Sequence, residues 1–371
     1  MNELIIYIIW NINPEMFSIP ILDISPRWYG LLFASGFILG QIVVTWIYTK
    51  EGKDAKQVDQ LTLYLVITTI IGARLGHCLF YDPEYYLSNP IKILMVWEGG
   101  LASHGAAFTI IPGLYIFAKK YKESFLWLLD IIAIVVCLAG ACIRFGNFTN
   151  SEIIGLPTES SSGVVFARDA HEILKYRFGD RVDKIYFTKR DDNKEKSPSG
   201  KVPITITVKY QDKFVIDESF EKSFYENDLK RYILGYDNIR KHIYEDPNTP
   251  LSYSIFKNKD VYYGEVYTYG IARHPAQLYE SLFYLSLFIF LIGLWYYKRH
   301  HFNNGFLFSI FFITLWAQRF FVEYFKENQE SWEADIPNTL FGQLNMGQLL
   351  SIPFVVIGIL MFIKTMPKLN K

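Results

Sequence analysis

The chain is poor in cysteine, carries no net charge and contains no detectable internal repeat. Only three cysteines occur among its 371 residues, and all three fall inside apolar runs, which argues against a disulfide framework and gives no zinc-site spacing. Without a repeat, the inverted-repeat architecture of many transporters has no support. The zero formal net charge does not indicate a class of protein, because the distribution of charge along the chain is what predicts the orientation in a membrane. We expect no metal, no cofactor and no nucleic-acid partner.

Long apolar runs dominate what is present. Hydrophobic residues make up 51% of the chain and aromatic residues 17%. Several runs approach the roughly 20 residues that cross a hydrocarbon core. We therefore predict a polytopic α-helical membrane protein with about seven transmembrane helices and a small β-rich or α/β exported insert. The predicted spans are Trp28 to Tyr48, Leu61 to Phe80, Gly100 to Ala118, Phe125 to Phe148, Pro275 to Tyr297, Gly305 to Phe325 and Leu344 to Ile363.

Basic residues in the short connections predict the orientation. If the N-terminus is outside, eleven lysines and arginines fall on the inner side and three on the outer side. This bias follows the positive-inside rule and makes the C-terminus cytoplasmic. The apolar start LIIYIIW is too short to span and lacks the basic residues of a secretory signal. We interpret it as an interfacial element on the outer face.

The predicted organisation has three parts. Residues 1–155 hold the N-terminal segment and the first four helices, residues 156–272 form the exported insert, and residues 273–371 hold the last three helices and the tail. Inside the insert, KVPITITVKY and QDKFVIDESF are alternating runs around a polar turn, which is typical of a β-hairpin. The piece DDNKEKSPSGK is predicted to be a solvated loop. We expect the insert to be dispensable for the chemical step.

Arg144 closes the nearly uninterrupted apolar run from Trp127 to Phe148. A cation in a bilayer helix costs roughly 2.5 to 3.5 kcal/mol even on lenient insertion scales. The simplest reason to keep it there is to hold an anion. The segment IRFGNFTNSEIIG around Arg144 is therefore the first candidate for chemistry.

Polar residues of several spans fall at one predicted depth. At about 1.5 Å of rise per residue, Arg144 reaches the outer boundary of its span, and Arg74 and Arg319 lie about two thirds of the way across theirs. Other polar residues open their spans from the outer side: Tyr29, His104, Arg273, His274 and Tyr279. Unrelated structural residues would have no reason to share one depth. The pattern predicts an anion site in the outer half of the membrane.

Five ordered blocks also resemble the prolipoprotein diacylglyceryl transferase family. They are GGLASHGAAF, RFGNFTNSEIIG, RHPAQLYE, RFFVEYFK and MGQLLSIP, supported by RWYG and GARLGHCLFY. The resemblance covers nearly the whole chain except the insert. It implies an enzyme of the bacterial inner membrane that moves the diacylglyceryl group of phosphatidylglycerol onto the thiol of the lipobox cysteine of exported prolipoproteins. Glycerol phosphate is the implied second product.

The resemblance also implies roles for individual residues. Arg144 and Arg319 match the family's essential arginines, and two guanidinium forks suit a phosphodiester whose leaving phosphate gains charge. His104 matches the motif histidine and is assigned as general base for the thiol. We expect Asn147 and Asn150 to donate to lipid oxygens and Glu152 and Glu323 to orient the arginines. The full set of predicted substrate-binding residues is Tyr29, Arg74, Asn147, Asn150, Glu152, Gly155, Arg273, His274, Gln277, Tyr279 and Glu323.

The chain departs from the family pattern in three places. Leu315 stands four residues before Arg319, where the family usually has a tyrosine, so any role of that hydroxyl is absent or taken by another residue. Ala106 replaces a second glycine after His104. The insert is longer than the usual exported arm, and its role is not inherited from the resemblance.

Each assignment has a structural alternative. A histidine on a glycine-rich membrane helix can serve only as a hydrogen-bonding residue between helices, and Arg74 can pair with a carboxylate or headgroup. Glu323 can be an i,i+4 partner of Arg319, and Arg273 can belong to a helix entry. Buried arginines also line anion transporters and channels, the main alternative function. Another phospholipid headgroup transferase and a noncatalytic lipid-binding scaffold are further alternatives.

Overall fold

The computed structural model describes residues 7–18, 25–96, 99–100, 102–160, 162–190, 197–212, 214–298, 301–327 and 344–366. The chain divides into two compact units. The described parts of Gly30–Gly146, Glu280–Glu323 and Asp335–Lys371 form the helical unit. The described parts of Met1–Tyr29, Asn147–Tyr279 and Tyr324–Ala334 form the sheet unit.

Helices account for most of the described chain. In chain order they are α1 (Trp28–Lys50), α2 (Lys56–Phe80), α3 (Pro83–Ser88), α4 (Ile91–Leu94), α5 (Ser103–Tyr121), α6 (Phe125–Thr149), α7 (Arg168–Phe178), α8 (Glu218–Glu221), α9 (Lys230–Gly235), α10 (Asp237–Arg240), α11 (Ala276–Lys298), α12 (Phe306–Val322) and α13 (Met346–Thr365). A π-helix covers Lys222–Leu229, and a 3₁₀ turn covers Glu323–Phe325. The strands are β1 (Ile8–Trp10), β2 (Val164–Phe166), β3 (Val182–Lys189), β4 (Lys201–Tyr210), β5 (Ile243–Tyr244), β6 (Ser252–Asn258) and β7 (Val261–Ile271).

The predicted class of polytopic helical membrane protein with a small sheet region is confirmed. Within the described residues, six helices are long and apolar enough to cross a membrane, namely α1, α2, α6, α11, α12 with its 3₁₀ turn, and α13. The predicted third span coincides with α5, which carries His104 at its start and Lys119 and Lys120 in its last turn. These polar residues shorten its apolar stretch, and the count of seven spans is not confirmed.

Helix α6 provides the centre of the core of the helical unit. Leu128, Ile131, Ile134 and Cys137 recur every three residues and are fully buried, as expected for one face of a helix packed on its neighbours. Asp130, one turn into the same helix, accepts hydrogen bonds from the backbone N–H groups of Gly305 (2.6 Å) and Phe308 (2.7 Å) at the start of α12. Because α12 has no side-chain cap of its own, Asp130 supplies one and sets the register between α6 and α12.

Glycines allow α2 and α5 to pack closely. A Cβ on Gly105 would lie 2.1 Å from the carbonyl oxygen of Gly72 and 2.7 Å from the Cα of Gly76. Gly72 and Gly76 thus form a small-xxx-small face in α2 that receives the backbone of α5. His104 is consequently held against the last two turns of α2.

The sheet unit is built on five antiparallel strands in the order β3-β4-β7-β5, with β6 also paired to β7. Buried residues of β4 and β7, such as Ile206, Val208 and Val266, pack with α7 and the π-helix in one core. A separate parallel pair joins β1 to β2, with Ile9 opposite Val165. Val164 also bridges to Arg273, which lies just after β7.

Three local predictions can be compared with this unit. KVPITITVKY forms β4, but it pairs with β3 and β7, and the described part of QDKFVIDESF contains no strand, so the predicted hairpin is wrong. Phe214 instead stacks on Tyr210 at 5.4 Å, and Asp217 accepts from the N–H of Phe220 where α8 begins. Ile8–Trp10 of the predicted interfacial element form β1, whereas residues 4–6 and most of the predicted loop at 191–201 lie outside the described residues.

Candidate active site

The predicted site residues fall in both units. The helical unit holds Arg74, His104, Arg144, Arg319 and Glu323. The sheet unit holds Tyr29, Asn147, Asn150, Glu152, Gly155, Arg273, His274, Gln277 and Tyr279.

In the helical unit, each of the two predicted phosphate-binding arginines lies beside a carboxylate. Arg144 Nε is 3.1 Å from the Glu280 carboxylate, and Glu280 is only 2% exposed. The Arg319 guanidinium is 3.8 Å from Glu323 and has 43% of its side chain exposed. Tyr284, in α11, interacts electrostatically with Arg144, Glu280 and Arg319.

The register between α6 and α12 places Arg144 and Arg319 at corresponding heights in their helices. Arg144 follows Asp130 by fourteen residues in α6, and Arg319 follows Gly305, which Asp130 binds, by the same number. Fourteen residues correspond to roughly 21 Å of helix for each. Two arginines at equal distances from one interhelical contact therefore reach the same level.

His104 lies among aromatic rings of α2. Its ring centroid is 5.2 Å from that of Phe80, nearly perpendicular to it, and 6.0 Å from that of Tyr81. Tyr81 also stacks on His77 at 5.4 Å. The imidazole is only half-buried, so it remains accessible to a reactant.

Arg74 is 2% exposed, and its guanidinium is surrounded by backbone oxygens. Its Nε donates to the carbonyl of Ile93 at 3.0 Å, its Nη2 to that of Lys92, and its Nη1 to those of Gly99 and Gly100. The Tyr86 ring lies 4.9 Å from its Cζ. These contacts occupy the donors that a substrate phosphate would need.

In the sheet unit, the segment after α6 is held in a strained turn. Ser151 and Ile153 have φ angles of 58° and 56°, which is costly for a β-branched residue such as Ile153. The side-chain amides of Asn147 and Asn150 donate to the Glu152 carboxylate at 3.3 and 3.1 Å. Gln277, which is fully buried, donates to the Glu152 carbonyl. Strain of this kind persists only where surrounding contacts fix it, as they do around Glu152.

Arg273 and His274 continue the same arrangement. Arg273 is 3% exposed, and it donates to the carbonyls of Lys241 (3.0 and 2.8 Å) and Gly155 (3.0 Å) and lies 3.6 Å from the Glu327 carboxylate. Arg273 thus fixes the backbone at Gly155. The His274 ring is 3.2 Å from the Tyr279 hydroxyl, and partial burial lowers the pKa of His274 below its ordinary value.

Comparison with known proteins identifies the family of this chain. The family model described as prolipoprotein diacylglyceryl transferase matches residues 14–364. The chain belongs to the prolipoprotein diacylglyceryl transferase family. It is 32% identical to the phosphatidylglycerol–prolipoprotein diacylglyceryl transferase of Tolumonas auensis, over 95% of this chain and 96% of that protein. It is also 32% identical to the protein of the same name from Bacteroides fragilis, over 97% of this chain and 95% of that protein. These similarities give no support to the transporter alternative.

Sequence reasoning missed three residues that organise the site of this transferase family member. Glu280 pairs with Arg144, Tyr284 interacts electrostatically with both arginines, and Asp130 sets the register of α6 and α12. The sequence did carry a signal for Asp130 and Glu280. A carboxylate inside an apolar span is costly, as the Arg144 cation is, and therefore indicates a partner or a function. Further along α12, Trp316 Nε1 and both polar atoms of Gln318 are buried without a hydrogen-bond partner among the described residues.

Gly155 provides a test of the strained turn. A Cβ there would lie 2.3 Å from the carbonyl oxygen of His274 and 2.7 Å from that of Phe325, and backbone cannot yield cheaply. We expect Gly155→Ala to destabilise the sheet unit by roughly 1 to 3 kcal/mol, as overpacking does, and to reduce transferase activity strongly. Thermal unfolding and activity measured beside Gly293→Ala, whose added Cβ meets nothing within 4 Å, would check it. A Gly155→Ala protein as stable and active as Gly293→Ala would contradict this account.

Proposed function

We propose that this chain transfers the diacylglyceryl group of phosphatidylglycerol to the thiol of the lipobox cysteine of prolipoproteins, with release of glycerol phosphate. One observation carries the proposal beyond family membership. Arg144 and Arg319 lie at corresponding heights in α6 and α12, and each guanidinium has a carboxylate within 4 Å. A pair of oriented forks suits the phosphate of an anionic phospholipid.

The reaction makes one bond and breaks another. The cysteine sulfur attacks the glycerol carbon that carries the phosphate, a C–S bond forms, and the C–O bond to the phosphate breaks. The thiol proton leaves the sulfur, and the departing phosphate changes from a diester to a monoester with additional negative charge. Because this charge develops only as the C–O bond breaks, Arg144 and Arg319 stabilise the transition state more than bound phosphatidylglycerol.

His104 is proposed as the general base. Its half-buried ring is accessible and lies beside the aromatic rings of Phe80 and Tyr81. An imidazole with a reference pKa of about 6.5 can accept a proton from a thiol of about 8.5 at neutral pH.

The predicted substrate-binding residues of the sheet unit divide into two kinds. Tyr29, Glu152, His274 and Tyr279 are at least partly accessible, and we propose that they contact the lipid headgroup or the peptide. Gly155, Arg273 and Gln277 are buried and bonded to backbone, and we propose that they act by shaping the turn around Glu152. Asn147 and Asn150 donate to Glu152 and are proposed to orient its carboxylate toward substrate. In the helical unit, Glu323 is proposed to orient Arg319.

We further propose a location in the bacterial inner membrane, with the N-terminus outside, the C-terminus in the cytoplasm and the active site near the outer leaflet. Six apolar helices support the membrane location, and the excess of basic residues in the predicted inner connections supports the orientation. Phosphatidylglycerol and exported prolipoproteins would then meet the site from the same side.

A direct assay tests the function. The purified protein is incubated with acyl-labelled phosphatidylglycerol and a synthetic lipobox peptide. We expect thioether-linked diacylglycerol on the peptide cysteine and an equimolar amount of glycerol phosphate. The matched controls are the same peptide with serine for cysteine and phosphatidylethanolamine in place of phosphatidylglycerol. Transfer of label to another headgroup, or lipid cleavage without peptide modification, would contradict the proposal.

A further inference from the structure

The guanidinium of Arg74 is committed to backbone acceptors on all sides. Its three nitrogens donate to four carbonyls, from Lys92, Ile93, Gly99 and Gly100, and it makes no ion pair with a carboxylate among the described residues. An arginine that binds phosphate needs two parallel N–H groups free. Arg74 could present such a fork only by releasing the segment it holds. These contacts favour a structural role for Arg74 over a role as a substrate ligand.

We infer that Arg74 is a positioning residue that fixes the start of α5, and with it His104. The inference rests on the proposed function for its kinetic consequences, but its structural content stands on the contacts alone. Arg74 would act on catalysis entirely through the placement of the His104 imidazole.

The first link runs through a turn of two glycines. Gly99 and Gly100 have φ angles of 89° and 69°, a region that residues with a Cβ rarely adopt. This conformation directs both carbonyls toward Arg74 Nη1. A Cβ on Gly100 would lie 2.4 Å from the His77 ring and 3.0 Å from Arg74 Nη1, so the turn fits tightly against α2.

The second link runs from this turn to His104. The N–H of Ala102 donates to the carbonyl of Ala73, the residue before Arg74, at 2.9 Å. Gly105, directly after His104, packs on the backbone of Gly72 and Gly76. In the chain, His104 is therefore flanked on both sides by residues that contact the GARLG segment, which carries Arg74. A shift of the two-glycine turn would move the start of α5 relative to Phe80 and Tyr81.

Lysine at position 74 tests the inference, because one ammonium group cannot reach carbonyls that now bind three separate nitrogens. We expect Arg74→Lys to lower kcat by about 10- to 100-fold, the scale of a small misplacement of a catalytic group. KM for phosphatidylglycerol should stay within about threefold, since no phosphate contact is lost. Carbethoxylation of His104 by diethyl pyrocarbonate, followed by mass spectrometry, should change in rate severalfold, while that of His274 in the sheet unit should not.

A second variant tests the inference if the first one fails to fold. Gly99→Ala leaves Arg74 intact, and its added Cβ meets nothing within 4 Å, so only the positive φ is penalised. It should reproduce the kcat loss and the altered His104 reactivity of Arg74→Lys. Gly293→Ala in α11, which also adds a Cβ in open space but without a positive φ, is the matched control and should behave as wild type.

The outcomes separate the two proposals. Unchanged His104 reactivity in both Arg74→Lys and Gly99→Ala overturns the positioning role, whatever the activity. Loss of phosphatidylglycerol binding with unchanged kcat also overturns it and makes Arg74 a lipid ligand. If the wild-type protein transfers nothing to the peptide, the proposed function fails, yet the reactivity of His104 still decides whether Arg74 positions it.

Discussion

Replacing Arg319 with alanine is expected to lower transfer by about 10²- to 10³-fold, the contribution of one preorganised group that meets developing charge. Arg144→Ala should have a comparable effect on activity. The two variants should differ in stability. Arg144→Ala removes the guanidinium that lies 3.1 Å from Glu280, which is 2% exposed, and breaking a buried pair costs about 3 to 5 kcal/mol. Glu323 keeps more solvent, so Arg319→Ala isolates the chemical effect more cleanly.

The measurement combines turnover with thermal unfolding. Arg144→Ala combined with Glu280→Gln also removes the buried carboxylate charge and should regain stability without regaining activity. Lysine at either position should rescue poorly, because a point charge cannot reproduce a bidentate fork. Lys364→Ala, an exposed cation at the end of α13, is the matched control. Transfer at wild-type rates by either alanine variant would rule out the phosphate-binding assignment.

His104→Asn is expected to reduce transfer by about 10²- to 10⁴-fold, the usual contribution of a general base. The loss should shrink as pH rises. Without a base, the rate follows the fraction of peptide thiol that is already ionised, and this fraction increases about tenfold per pH unit below a thiol pKa near 8.5. Wild type should depend on pH less steeply above the pKa of its base.

Rate against pH for both proteins, with lipid binding measured in parallel, distinguishes catalysis from positioning. His301→Asn, an exposed histidine in the connection before α12, serves as the control. If the activity of His104→Asn stays flat with pH, or if lipid binding is lost instead of turnover, then His104 places the substrate and is not the base.

The sequence predicted the helices closely where hydrophobicity alone decides them. The span predicted as Phe125 to Phe148 is the helix Phe125–Thr149, and the span Pro275 to Tyr297 is Ala276–Lys298. The predicted hairpin is wrong because a local alternating pattern does not identify the strand that pairs with it. β4 pairs with β3, which precedes it, and with β7, which is far from it in sequence.

The site residues were predicted by type but not by partner. Arg144 and Arg319 are recognisable in the sequence as cations in apolar spans, whereas their corresponding heights depend on the Asp130 cap between α6 and α12, which is a tertiary contact. Arg74 has the same sequence pattern as Arg144. Only the structure distinguishes a guanidinium bonded to backbone carbonyls from one beside a carboxylate, because the sequence does not show which backbone acceptors lie near a side chain.

The hydrogen bonds from Arg273 to the Lys241 carbonyl limit how the insert can be exchanged. Residue 241 lies inside the insert, while Arg273 and Gly155 belong to the matched blocks, so a graft that lacks residue 241 would remove the acceptor of two hydrogen bonds of the guanidinium. Replacing Gly179 to Asp260 with a short linker would also divide one hydrophobic core, which includes residues from Ala170 to Val266. We therefore expect this excision to destabilise the sheet unit, while the dispensability of the insert for the chemical step stays a prediction. Chimeras that preserve catalysis should transplant the Lys241 turn, β7 and Arg273 as a single inherited block.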